Sequence, residues 1–402
     1  MGPVQASERY EFLDVLRGAA LLGIVSANMI LYSLYLQVPE AAKAALPAHA
    51  ADKALDFLEL WLIEGKFYTL FSLLFGIGFS ILLTRAQAKG LVFRKFFLRR
   101  AFFMFLIGAT HAVLVWHDDI LEAYSICGAL LLPFTSVRSR TIIAVAIVAL
   151  LAPALVKLLG GIPVGALDAA RSTLLEHFGF TRDTMLQTYT QGGVADIVRL
   201  NLCNWFGQVT FLIKSGMIFK IYGCFLLGFC IGRDEVYKKL AQYRPLIRRI
   251  AVWGLAIGLP LNFTYAASFE TDTWTEMLSG SFGILPLSAG YASMLCLIWL
   301  RPEGPRQLRH FAPVGRMALT NYIGQSVLCT LVFYNTGLGL GGTMGPSLYF
   351  LIGFTVYGFE VIASRWWLDR FRFGPIECLW RVLTYGRRFP LAKRAAHVEE
   401  AT

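Results

Sequence analysis

The stretch KFYTLFSLLFGIGFSILLTRAQAKGLVFRKFFLRR, residues 66–100, decides the fold. After Lys66 it runs eighteen residues, Phe67 to Thr84, without a charge, and then crowds Arg85, Lys89, Arg94, Lys95, Arg99 and Arg100 into the next sixteen. A helix needs about 20 mostly apolar residues to cross the hydrocarbon of a bilayer. A basic cluster directly after such a run marks the side that stays inside. The same pattern recurs along the chain, with apolar runs at 16–36, 66–85, 99–117, 119–135, 140–159, 215–232, 249–268, 281–300, 317–336 and 346–366. Basic residues collect in alternate connections: Arg138 and Arg140, then Arg233 to Arg249, then Arg301 to Arg316, then a tail over 367–402 that carries Arg372, Arg381, Arg387, Arg388, Lys393 and Arg394. The connections between them, HDD at 117–119, ETDTWTE at 270–276 and NTGLGLGGTMG at 335–345, hold little or no basic charge. The alternation predicts an all-α polytopic membrane protein of about ten transmembrane helices, with both termini in the cytoplasm and one domain over 1–402.

Composition agrees. Of 402 residues 56% are hydrophobic and 16% charged, and the mean hydropathy is +0.57, too apolar for a soluble chain of this length to keep a polar surface. The net charge of +11 reads as topology, because its lysines and arginines fall in the loops, and nucleic acid is not expected as a partner. The seven cysteines show no metal-type spacing, so they read as small core residues and no metal is expected. The opening MGPVQASERYEFLDV lacks an apolar core and a small-residue cleavage site, so no cleaved signal peptide is expected. ADKALDFLELWLIEG, 51–65, is placed in the outer interface, and the 160–214 connection between helices five and six is expected to form amphipathic helices on the outer surface.

Polar side chains inside the spans are costly and become the candidates for function. Asp14 and Arg17 share a face at the inner boundary and can pair. Asn28 lies eleven residues past Arg17, about 16 Å deeper at 1.5 Å per residue. His111 lies eleven residues past Arg100, so the two reach the same depth. Beyond it come His117, Asp118 and Asp119, one of the two aspartates placed to cap the fourth helix, then Glu122 and Tyr124. Glu64 and Lys66 stand at the outer boundary of the second helix, and Gln325 lies inside the ninth. Lys214 and Lys220 are placed to snorkel, with Lys220 also able to line a cavity. Taken one at a time, an amide is commonly interhelical glue and a histidine commonly a satisfied core residue.

LDVLRGAALLGIVSANM (13–29), KFYTLFSLLFGIGFS (66–80), RRAFFMFLIGATHAVLVWHDDILEAYSICG (99–128), GRMALTNYIGQS (315–326) and FGPIECLWRVLTYG (373–386) together resemble the YeiB-like family, bacterial inner-membrane proteins with a domain of unknown function. Where that family shows Gly-Asp-Ile-Leu, this chain has Asp118, Asp119, Ile120 and Leu121. The spacing from Arg17-Gly18 to Asn28 is also similar to that of heparan-α-glucosaminide N-acetyltransferase. That resemblance implies a multi-pass protein of the bacterial inner membrane that moves an acyl group from cytoplasmic acyl-CoA to an envelope acceptor, with Asn28 in the catalytic centre. The histidine that follows the asparagine there has no counterpart in residues 29–48, so the implied base passes to His111, with Asp119 orienting it or meeting the acceptor. Arg17, Arg99, Arg100 and Arg316 would hold the CoA phosphates, although orientation alone accounts for most of these arginines. Glu64, Lys66, Glu122, Tyr124 and Gln325 would line the acceptor path. The expected partners are membrane lipid and a small-molecule or glycan acceptor, with a homodimer left open. The alternatives are a transporter or flippase with the same residues along its path, and a scaffold in which they serve only as glue.

Overall fold

The computed structural model describes residues 10–46, 49–269 and 274–393. Part of the ETDTWTE stretch, Arg394 and most of the opening fifteen residues lie outside them. The helices in chain order are α1 (Glu11–Tyr32), α2 (Glu40–Lys43), α3 (His49–Leu62), α4 (Lys66–Ala88), α5 (Phe93–Leu114), α6 (Leu121–Ala129), α7 (Ser139–Leu158), α8 (Gly165–Phe178) and α9 (Arg182–Gln191). They continue with α10 (Val194–Lys214), α11 (Met217–Arg233), α12 (Arg244–Ser268), α13 (Trp274–Trp299), α14 (Gly304–Leu308), α15 (Phe311–Arg316), α16 (Ala318–Phe333), α17 (Pro346–Arg370) and α18 (Pro375–Tyr385). Among the described residues the only β pairing is one bridge, Phe371 to Ala392. The chain is an all-helical membrane protein.

All ten apolar segments fall on helices. Seven spans are long and apolar enough to cross a bilayer, those of α1, α3 with α4, α5, α7, α12, α13 and α17. An eighth arises if α10 and α11, bent by 66° at their junction, count as one. The other two segments are shorter: α16 has 16 residues and α6 only nine, followed by a tight turn over Leu132–Ser136. The stretch 51–65 continues into α4, giving one apolar span of 38 residues, Ala51–Ala88. It buries Asp52 and Glu59 on its protein-facing side.

Small residues let the backbones approach, as expected where lipid offers no hydrophobic drive between helices. A Cβ on Gly228 would sit 2.0 Å from the Leu73 carbonyl oxygen, and one on Gly232 would come within 3.0 Å of the Ile77 Cα. The constant offset makes α4 and α11 parallel neighbours. Gly254 and Gly258 of α12 meet Pro286 and Leu287 of α13 in the same way. On the other flank α15 lies against α1, where a Cβ on Gly18 would strike the Phe311 oxygen at 2.0 Å and one on Gly315 the Asp14 oxygen at 1.8 Å. The glycines of LRG and GRM are thus two halves of one contact.

The 160–214 connection is helical as expected, with no residue of α8 buried and one face of α10 burying the amides Asn201 and Asn204. Asn201 donates to the carbonyls of Val113 and Val115 at 3.4 and 3.3 Å. Tyr189 of α9 donates to Asn201 at 3.0 Å and contacts His117 Nδ1 at 3.2 Å. These bonds bring α9 and α10 down over the turn between α5 and α6.

Candidate functional site

That turn, residues 115–120, is the polar centre of the bundle. His111 and Asp119 are both buried, and His111 Nδ1 meets Asp119 Oδ2 at 2.6 Å. The other oxygen, Oδ1, accepts the Leu121 amide at 2.6 Å, which caps α6 as the sequence anticipates for one of the paired aspartates. Gly108 supplies the clearance, since a Cβ there would come 2.9 Å from Asp119 Oδ1. The Ile120 amide donates to the Tyr322 hydroxyl at 3.4 Å, and the His111 and Tyr322 rings stand 5.7 Å apart. His111 Nε2 is buried with no hydrogen-bond partner among the described residues.

Beside this turn a cavity of about 1560 Å³ passes through the bundle. At the end bearing the basic connections it is lined by Arg17, Arg100, Arg316 and Arg381. Asn28, Asp118, Tyr124 and Tyr322 line its interior, and Glu64, Tyr68 and Lys220 line it towards the opposite end. The Arg17 guanidinium bonds Asp14 at 2.9 Å, the pair expected from their spacing. Arg100 lies over the Trp380 ring at 3.5 Å, and Trp380 Nε1 donates to the Arg100 carbonyl at 2.9 Å. Helix α18 is held there from below by Glu377, which accepts the Leu319 and Thr320 amides at 2.7 and 3.1 Å and so caps α16.

Several candidates stand elsewhere. His111 and Asp119 form the wall behind Asp118 and do not reach the cavity surface. Arg99 points out to the Leu383 carbonyl, 2.9 Å away. Glu122 accepts from Trp205 of α10 at 2.7 Å. Lys66, fully buried, donates to the Leu60 carbonyl at 2.6 Å and closes the end of α3. Gln325 donates to Glu360 of α17 at 2.8 Å, sealing α16 against α17. The sequence reading passed over Glu360, Asn201 and Arg381 as candidates. The rule that flags polar residues in apolar helices marks the first two, whereas Arg381 reads as one more inner-facing charge until α18 folds over the cavity mouth.

The uncharacterized protein YxaH of Bacillus subtilis is 30% identical over 98% of both chains. YeiB of Escherichia coli, also uncharacterized, is 31% identical over 94% of this chain and 96% of its own. The family described as "Protein of unknown function (DUF418)" matches residues 231–387. The chain belongs to the DUF418 family. An uncharacterized 39.9 kDa protein from Bacillus acidopullulyticus is 28% identical over 97% of this chain and 98% of its own. The DUF418 match takes in α16 and α18 with Arg316, Glu377, Trp380 and Arg381, the elements at the basic mouth of the cavity.

Proposed function

We propose that this DUF418 protein is a multi-pass enzyme of the bacterial inner membrane that transfers an acyl group from cytoplasmic acyl-CoA to an acceptor on the envelope side. One observation carries the reading: a single cavity joins four arginines at one end to Asn28 and Asp118 in the interior and continues to the other end. Guanidinium groups converging on a cavity suit the phosphates of CoA. The acyl chain then points inward to Asn28. The acceptor enters from the opposite end. Its hydroxyl or amine attacks the thioester carbonyl while Asp118 takes the proton, the carbon–sulfur bond breaks, and CoA leaves as the thiol once it is reprotonated. Asn28 donates its amide hydrogen to the carbonyl oxygen as charge develops there. His111 and Asp119 position Asp118 through the turn they brace.

The continuation of the cavity past Asn28 to Glu64 and Lys220 also favours a second reading, a transporter with a polar path. Acetyl-CoA binding to detergent-purified protein by calorimetry, with thiol release followed in proteoliposomes, separates the two. Saturable donor binding, with thiol release abolished by Asp118→Asn, is the expected result. Solute uptake without donor, and no donor binding, would establish the transporter instead.

A further inference from the structure

The scheme above leaves one buried cation without a task. Lys220 is 8% exposed and lines the cavity. Among the described residues its ammonium has no hydrogen bond and no ion pair, only the Tyr68 ring at 5.9 Å. The register that sets Gly228 against Leu73 and Gly232 against Ile77, carried two turns back along α11, places Lys220 level with Gly65. Glu64, beside Gly65 in the chain, lines the same cavity but lies beyond ion-pair distance of Lys220. A lysine buried in a membrane protein is costly without a counter-charge.

A second feature stands at the same spot. Helices α10 and α11 meet at a 66° bend, with Gly216 in the left-handed region at φ +69°. Ser215, Met217 and Lys220 all line the cavity, so the first turn of α11 begins at its wall. That turn is the positive end of a helix, which favours an oxyanion, and broken membrane helices commonly aim such ends at anionic groups. Its amides are largely engaged, Met217 N on Ser215 Oγ at 3.3 Å and Phe219 N and Lys220 N on the Gly216 carbonyl at 3.0 and 3.3 Å, so the Lys220 ammonium is the donor it offers. Lys214, the other lysine here, is tied to Asp168 at 2.6 Å.

We propose that the α10–α11 break is a phosphate subsite, in which the Lys220 ammonium, beside the positive end of α11, holds a phosphate group of the molecule that occupies this end of the cavity. The group belongs either to a soluble phosphate ester or to a phospholipid headgroup. The subsite stands whether that molecule is acylated or transported.

The test reads Lys220 itself, because phosphate can also bind the arginines at the other end. The full-length wild-type protein, in detergent with inorganic phosphate or in nanodiscs containing phosphatidylglycerol, is pulsed with an amine-acetylating reagent, and modification is followed by mass spectrometry. Phosphate at constant ionic strength is expected to slow acetylation of Lys220 at least tenfold relative to exposed Lys89. Protection in phosphatidylglycerol nanodiscs but not with phosphate supports the subsite and assigns it to lipid. Equal acetylation of Lys220 under all conditions overturns it. Lys220→Met is expected to lose the part of phosphate's thermal stabilisation that Lys220→Arg retains, and an unchanged dose dependence in Lys220→Met also counts against the subsite.

Discussion

Asp119 serves two neighbours at once, the His111 ring through one oxygen and the Leu121 amide through the other. Removing it in Asp119→Ala leaves a buried imidazole and a buried amide unpaired, so we expect a loss of about 1–3 kcal/mol, read from thermal unfolding in detergent. Asp118, one residue earlier, makes no hydrogen bond among the described residues and lines the cavity. Asp118→Asn should therefore leave the unfolding temperature close to wild type and reduce thiol release by at least about 100-fold. An intact rate in this variant removes Asp118 from the chemistry. The sequence brings Asn28 and His111 to one depth and flags both aspartates, because helical rise and the cost of burying polarity are local properties. It leaves open which aspartate faces the cavity and which the wall, since that depends on how the chain turns after Leu114 and on the groups α10 brings from above.

At the scale of elements, the helices depend on distant carboxylates for their ends. Asp52 of α3 accepts the Ser347 amide at 2.8 Å at the start of α17, and Glu377 of α18 does the same for α16. Glu377→Ala should free α18 from the cavity mouth, seen as faster hydrogen exchange over 375–385 and quicker tryptic cleavage at Arg387 and Arg388; unchanged protection would show that Trp380 alone suffices. Burial lifts the Glu377 carboxyl above its ordinary value, and the Thr320 hydroxyl and neighbouring amides pull it part of the way back. The folded state therefore holds this proton more tightly than the unfolded chain. Its contribution to stability is fully present below the unfolded value and is lost as pH rises through the raised one. Once the intrinsic slowing of amide exchange in acid is divided out, α18 should therefore be better protected in mild acid than at neutral pH, and Glu377→Gln should flatten that difference in protection. Close packing gives a second contrast: Gly228→Leu drives a side chain into the Leu73 backbone, whereas nothing lies within 4 Å of a Cβ on Gly358. We expect the first substitution to abolish recovery of folded protein and Gly358→Leu to be tolerated. The sequence reading finds the apolar runs of these helices but not the α10–α11 break, since Ser215 and Gly216 read equally well as the edge of a span.

For the whole molecule, the charge alternation sets an orientation that labelling can test. In a cysteine-free background, Lys239→Cys should react with an impermeant maleimide only after the membrane is opened, and Thr343→Cys should react in intact cells. The reverse pattern would invert the topology. Alternation of charge marks ten segments but does not measure how far each one penetrates. The α5–α6 hairpin is the clearest case. Its return limb has nine α-helical residues and a five-residue tight turn, about 24 Å of rise at most, short of the roughly 30 Å hydrocarbon thickness. The hairpin tip is thus a depth gauge. Its length, counted from the arginine anchors Arg99 and Arg100, fixes how far from the inner surface Asp118 is held. Lengthening α5 by one turn would raise that carboxylate by about 5 Å into the space now filled by Asn201 and Tyr189, so insertions between Arg100 and His111 should be tolerated far less well than insertions of equal length in the connection after Leu158.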